Sequence, residues 1–286
     1  MRPFKESSVP RKKQDGTKKS DHPAERARRN ARSKPLEKTN KQKTEISEEG
    51  IRLNRFIANA GICSRREADM HIQTGSVSIN GVVVTQLGTR VKPTDSVRFD
   101  GRLITPEKKT YILLNKPKDY VTSLEDQHAK KLVTDLIKDG CKERVYPVGR
   151  LDKQTTGVLL LTNDGDLTDF LTHPKNNKKK IYQVTLDKPV IKSDLQQLYD
   201  GIELEDGPAR ADEISYCNPG DKREIGIEIH SGRNRIVRRM FEHLGYKVHK
   251  LDRVYFAGLT KKNLTRGKWR FLNEGEIAML KRGSFK

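Results

Sequence analysis

The sequence predicts an α+β protein: a small α+β unit followed by a larger one, built on a mixed, largely antiparallel sheet flanked by helices. Three observations lead there. At ~150 residues per domain, the 286-residue chain has room for two. Composition changes near residue 50, where a polar, basic stretch gives way to ordered apolar patterns. Beyond that point helical and strand periodicities are interspersed, with no repeat at the ~20–50-residue periods of solenoids.

Residues 1–50 hold 15 Lys and Arg against 8 Asp and Glu, and only eight hydrophobic residues. Such a segment cannot bury enough apolar surface to offset the entropy of ordering it, so it reads as a disordered basic tail. Of the formal charge of +20, the tail carries +7, so the folded part keeps +13. That excess fits nucleic acid or an anionic membrane surface. No apolar run approaches the ~20 residues of a membrane-spanning helix. "MRPFKESSVPRKKQDG" lacks the apolar centre of a signal peptide. Cys63, Cys141 and Cys217 are far apart, and the seven histidines show no paired spacing, so neither a metal site nor a disulfide framework is expected. These features place the chain in the cytoplasm.

The small unit spans 51–110. Leu53, Phe56, Ile57 and Ala60 mark one buried helix face, and Gly61 suits the left-handed position after it. Ser64 and Glu67 have the S-x-x-E spacing of a capping box, opening a second helix that Gly75 ends. Val77 and Ile79 alternate with serines, and Asn80-Gly81 and Asp100-Gly101 are tight-turn signals. Arg52, Arg55, Arg65 and Arg66 lie outside the apolar positions. Any one of them reads as a solvated helix face; four around a helix-turn-helix read as a nucleic-acid surface. "RLNRFIANAGICSRREADMHIQTGSVSINGVVV", with its "GICSRREA" centre, resembles the ribosomal-protein-S-four-like RNA-binding domain. That resemblance implies contacts to RNA backbone and shape more than to base sequence.

The larger unit, 111–286, opens with "YILLNKPKDYVTS", an apolar strand that Pro117 stops. "GVLLLT", "KIYQVTL" and "REIGIEIH" read as strands; "NDGDLTDFLTHP" and "RNRIVRRMFEHLG" read as helices closed by Pro174 and Gly245. Asp152 stands in "VGRLDKQTTGVLLLTNDGDL", in a polar loop between two strands. A loop aspartate is usually a turn former. Against that reading, catalytic groups favour loops on a rigid scaffold, and no GxSxG, phosphate loop or glycine-rich cofactor loop competes with it. Arg233, Arg235, Arg238 and Arg239 around the start of the last of these helices offer a cationic partner, which would favour the ionised carboxylate.

"GRLDKQTTGVLLLTNDGDL", "NKPKDYVTS", "KKIYQVTL", "GIELEDGPARA" and "SGRNRIVRRMFEHLGYKVHKLDRV", in this order, resemble the pseudouridine synthases of the RsuA and RluB family, most of all the large-subunit branch. The match runs from about residue 51 to 283, and the small domain ahead of the catalytic domain fits it too. The resemblance implies that Asp152 is the aspartate on which the chemistry depends. It makes Tyr182 the aromatic residue stacked on the target base, and Arg238 the basic residue paired with the aspartate. Arg150, Arg233, Arg235 and Arg239 are expected on the RNA, and Leu151 and Val158 as walls of the pocket. The family commonly carries Gln where Ile236 stands, so one polar contact differs here. The implied reaction isomerises uridine in ribosomal RNA, 23S by the branch, with the base flipped out of its stack. The RNA is either free or in a ribosome assembly intermediate, and the enzyme is a monomer. The reaction exchanges the N1 glycosidic bond for a C5 bond without gain or loss of atoms, so no cofactor or metal is expected. An ionised carboxylate serves either a covalent or a proton-transfer route. The alternatives are a non-catalytic RNA-binding or ribosome-assembly protein, or a synthase of the same family acting on small-subunit rRNA or tRNA. A methyltransferase lacks its cofactor loop. A glycosidase lacks a second carboxylate, since Asp164 or Asp166 reads as the next helix cap.

Overall fold

The computed structural model describes residues 50–124, 130–283 and 285. The basic tail expected over 1–50 lies outside the described residues apart from Gly50.

The first elements follow their local signals. β1 (Ile51–Arg52) leads into α1 (Leu53–Asn59), and Gly61 turns the chain at φ +76°. α2 (Arg65–Gln73) starts on the Ser64 and Glu67 capping box, whose two reciprocal hydrogen bonds are both formed. β2 (Val77–Ile79) and β3 (Val82–Val83) form a hairpin whose Asn80 and Gly81 both have positive φ, the geometry of a type I′ turn. β4 (Arg90–Val91) pairs with β1; β5 (Val97–Phe99) and β6 (Arg102–Leu103) complete a four-stranded sheet in the order β3-β2-β5-β6. Leu53, Ile57, Ala68, Ile72 and Val77 form its core.

The large sheet begins with β7 (Tyr111–Lys116), β8 (Tyr146–Pro147) and β9 (Thr156–Thr162). α3 (Gly165–Thr172) is capped by Asp164, as expected of one of the two aspartates there. β10 (Lys180–Leu186), α4 (Lys192–Asp200) and the hairpin β11 (Ile202–Leu204) and β12 (Gly207–Ala209) follow. Then come β13 (Glu213–Asn218), β14 (Asp221–Ile229) and α5 (Ile236–His243). β15 (Val248–Phe256), β16 (Leu259–Thr260), β17 (Trp269–Phe271) and α6 (Glu274–Arg282) end the fold. The sheet runs β13-β14-β10-β15-β9-β7-β17, with β8 on β9 and β16 on β15. Its one parallel pair is β15 with β9; the other strand pairs are antiparallel, as the mixed, largely antiparallel expectation required.

β9 shows why the sheet sits where it does. All seven of its residues are buried. Leu159 and Leu161 join a core shared with α5, whereas Val158 and Leu160 join a second core with Leu167 and Leu171 of α3. A strand covered on both faces reads as a continuous apolar run, as "GVLLLT" does. Truncating Leu159 or Leu161 to alanine would cost about 2–5 kcal/mol. The same alternation corrects one expectation: Val158 packs with Tyr111 and Leu113 in the second core and is not a wall of the cavity described below. Gly157 is required by close approach. Its φ is +106°, and a Cβ there would lie 2.1 Å from the Arg253 carbonyl oxygen. This glycine lets β15 run beside the start of β9, one residue pair beyond the loop that carries Asp152.

The second arginine-rich helix begins later than its sequence suggests. Arg233 to Arg235 form a loop, Arg235 adopts φ +49°, and α5 starts only at Ile236. Gly245 closes it at φ +76°.

Candidate active site

Asp152 lies in the loop between β8 and β9, and the backbone of that loop is tied down from several sides. Its own carbonyl accepts from the Thr155 amide at 3.0 Å. The Thr122 hydroxyl donates to the Leu151 carbonyl at 2.7 Å and accepts from the Leu151 amide at 3.3 Å. The Asp119 amide donates to the Lys153 carbonyl at 2.9 Å. The strongest tie is Lys116, which has no exposed surface. Its ammonium lies within reach of four carbonyls: Thr155 at 2.8 Å, Pro117 at 3.1 Å, Asp152 at 3.2 Å and Lys153 at 3.3 Å. An ammonium has three donors, so these carbonyls share them. Burial pushes the Lys116 pKa down to about 8, with Asp152 and Asp119 opposing the shift. "NKPKDYVTS" and "GRLDKQTT" are therefore one physical object: the first segment straps the second into shape.

The Asp152 side chain is 32% exposed and faces a cavity of about 920 Å³. Behind it, Arg238 is buried, with Nε 4.0 Å from Asp152 Oδ2. That distance is an ion pair and not a hydrogen bond. Arg238 does not line the cavity. Its Nη1 donates to the Val248 carbonyl at 3.0 Å, and its Nε has no hydrogen-bond partner among the described residues. Burial and the neighbouring Arg235 work against the Arg238 charge, while Asp152 and Glu242 favour it. A guanidinium stays charged under these conditions, so its field falls on Asp152. Tyr182 is buried in β10 and lines the cavity, between Ile227 on β14 and Arg253 on β15. Asp152, Tyr182 and Arg238 thus meet at one place from three distant stretches of sequence.

The other arginines separate into groups. Arg150 and Arg235 are exposed and line the cavity. Arg233 also lines it, but its donors are engaged: Nη1 with the Asp206 carbonyl at 2.8 Å and Oδ1 at 3.0 Å, and Nη2 with the Pro208 carbonyl at 2.9 Å. Arg239 forms a two-pronged pair with the same carboxylate at 2.8 and 2.9 Å. Asp206 turns the β11–β12 hairpin, so these two arginines fasten the "GIELEDGPARA" hairpin to α5 and the loop ahead of it. Arg52 and Arg66 are exposed. Arg55 pairs with Asp166 at the start of α3, and the Arg65 guanidinium lies against Gly165 of the same turn. The helices expected to face RNA therefore also seat part of their charge against the larger unit.

Four contributors to this site escaped sequence reading: Lys116, Lys180, His230 and Arg253. Lys180 lines the cavity, and burial followed by repulsion from Arg253 pushes its pKa down to about 8. His230, also on the cavity, holds Asp212 at 2.8 Å through Nδ1. Arg253 is 2% exposed.

The family model described as RNA pseudouridylate synthase matches residues 110–243, and the S4 domain model matches 51–97. A curated RNA pseudouridine synthase of Aquifex aeolicus is 42% identical over 233 residues, covering 80% of this chain and 93% of that protein. The chain belongs to the RNA pseudouridine synthases. It is an isomerase with an RNA substrate and an S4 domain ahead of its catalytic sheet. The large-subunit pseudouridine synthase B of Bacillus subtilis is 41% identical, over 80% of this chain and 95% of its own length. The dual-specificity synthase RluF of Escherichia coli is 37% identical, over 81% of this chain and 79% of its own. A crystal structure of a pseudouridylate synthase superposes with a TM-score of 0.58 at 31% identity, covering 81% of this chain and all of that one.

Proposed function

We propose that this synthase isomerises a uridine of large-subunit ribosomal RNA, with Asp152 as its essential carboxylate. The observation that carries the reading is that Asp152 faces a cationic cavity also lined by Tyr182, with Arg238 buried behind the carboxylate. The similarity to a large-subunit synthase over nearly its whole length supports the choice of RNA. In this reading residues 51–110 dock the RNA and residues 111–286 perform the chemistry. The protein works as a monomer in the cytoplasm, on free RNA or on an assembly intermediate. Among the described residues no helix is long and apolar enough to cross a membrane.

The reaction breaks the N1–C1′ bond of uridine and forms a C5–C1′ bond. C5 loses a proton and N1 gains one, so the product is an isomer of the substrate. The target base must first leave its stack, at a cost of a few kcal/mol, and stacking on Tyr182 returns about 1–3 kcal/mol. Arg150, Arg235 and Lys180 surround the cavity with positive charge suited to the phosphates on either side of the flipped nucleotide. Asp152 reaches the sugar or the base as a carboxylate, held in direction by the strapped loop and by the Arg238 field. Mapping pseudouridines in ribosomal RNA from cells with and without this protein tests the assignment. One site lost from the large-subunit RNA is expected. A site lost from small-subunit RNA or tRNA would overturn the choice of substrate, and no lost site would overturn the function in cells.

A further inference from the structure

Arg253 has a burial that its structural duties leave unexplained. Its Nε donates to the Val158 carbonyl at 2.8 Å, and its Cζ lies 4.6 Å from the centre of the Phe256 ring. Those contacts staple β15 to β9. Among the described residues the Nη2 atom is buried without a hydrogen-bond partner, although the residue lines the catalytic cavity. A buried guanidinium donor left unpaired is costly unless something completes it. Tyr182 is the direct cross-strand neighbour of Arg253. Burial opposes the Arg253 charge, and the neighbouring Tyr182 favours it. Tyr182 and Arg253 thus lie side by side on the cavity wall.

We propose that Arg253 is a positioning residue for pseudouridine formation: its guanidinium takes the Tyr182 hydroxyl oxygen as acceptor and turns the phenolic proton into the cavity, toward the substrate. The inference rests on the catalytic reading of Tyr182 given above. A hydroxyl can donate one proton and accept at its lone pairs. With a permanent cation on the acceptor side, the donor side is left for a substrate oxygen. The pair tightens when a base seats on the ring, as catalytic hydrogen bonds do on forming the substrate complex. Tyr182 then has two jobs, a stacking face and an oriented donor. Arg253 acts through the second.

A double-mutant cycle tests this, using the full chain and single-turnover rates at saturating RNA. The proteins are wild type, Arg253→Lys, Tyr182→Phe and the double variant. Lysine keeps the charge, but its single ammonium cannot span both the Val158 carbonyl and the Tyr182 hydroxyl as a planar fork does. Each single variant is expected to slow the reaction about 10²-fold, and the double variant to be no slower than Tyr182→Phe. RNA affinity should be unchanged across the set. If Arg253→Lys lowers the rate by the same factor in both backgrounds, Arg253 is a strand staple only and the proposal is overturned. A wild-type rate for Tyr182→Phe would overturn it too, because an idle hydroxyl needs no positioning, and that arm needs no Arg253 variant. Should Arg253→Lys fail to fold, the cycle is run with Arg253→Gln. Asp152→Asn measured beside the set keeps the two readings apart: turnover there would sink the catalytic assignment, whereas the cycle judges Arg253 alone.

Discussion

The segment around α1 and α2 and the segment running from the Arg233 loop into α5 are both arginine-rich, and in the sequence they look alike. Their arginines do different work. Arg52 and Arg66 stand exposed. Arg238 is buried behind Asp152, while Arg233 and Arg239 grip Asp206. What separates the two regions is the company each arginine keeps. Arg233 and Arg239 meet an aspartate on a hairpin and Arg238 a carbonyl of β15, so much of this guanidinium hydrogen bonding is used within the protein. Arg52 at the end of β1 and Arg66 on α2 face outward, open to an anionic partner. Positive charge in a sequence therefore marks attraction to RNA only after the internal acids and carbonyls have been subtracted.

The comparison predicts an order of effects. Arg238→Leu should be the most damaging of these arginine changes, slowing single-turnover isomerisation at saturating RNA by about 10²-fold, as expected of a misaimed reactive group. Its RNA affinity should barely move. A normal rate with weakened binding would place Arg238 among the phosphate contacts and erase the distinction.

Asp206→Ala comes next. It releases the Arg239 fork, leaves Arg233 only its carbonyl contacts, and loosens the hairpin beside the α5 loop. A loss in kcat/KM on the order of tenfold is expected, smaller than that of Arg238→Leu because no reacting group is touched. Freed arginines that instead bind RNA more tightly at unchanged rate would show that the clamp holds nothing needed for catalysis.

For Arg52→Ala and Arg66→Ala the expectation is reversed. The rate at saturating RNA should stay as it is, while affinity falls and the slope of log K against log salt drops by about 1 for each phosphate contact removed. A slowed chemical step would mean that these helices shape the cavity directly.

Lys116 extends the contrast to lysine and gives the smallest expected signal. Its folded pKa is about 8, against ~10.4 for an unfolded lysine. Between those values the unfolded chain binds more protons than the folded one, so this group makes stability rise with pH across that window. Melting midpoints measured from pH ~8 to ~10 should climb more in the wild type than in Lys116→Met. Parallel curves would show that folding does not lower the Lys116 pKa.

Much of the site was legible because its signals are local. The capping box at Ser64 and the turn at Asn80-Gly81 each involve a few neighbouring residues, and both form as read. Asp152 stood out because its loop is polar and glycine-flanked, followed by a buried strand. Lys116 did not, since a lysine before a proline at a strand end reads as solvated. Its burial comes from a loop more than thirty residues later folding over it. Arg253 was hidden for the same reason: its partners are Val158 and Tyr182, distant in sequence. Val158 was misplaced because a strand buried on both faces carries no mark of which face meets the cavity. The late start of α5 has a tertiary cause as well, since Arg233 is drawn out of helical continuity into the Asp206 clamp.

The central claim is that the charge of Asp152, and not merely its shape, drives isomerisation. Asp152→Asn keeps the size of the side chain and removes the charge. Purified and folded, it should bind the RNA with wild-type affinity and form no pseudouridine in a single-turnover assay at saturating enzyme. Substantial product from that variant would contradict the account.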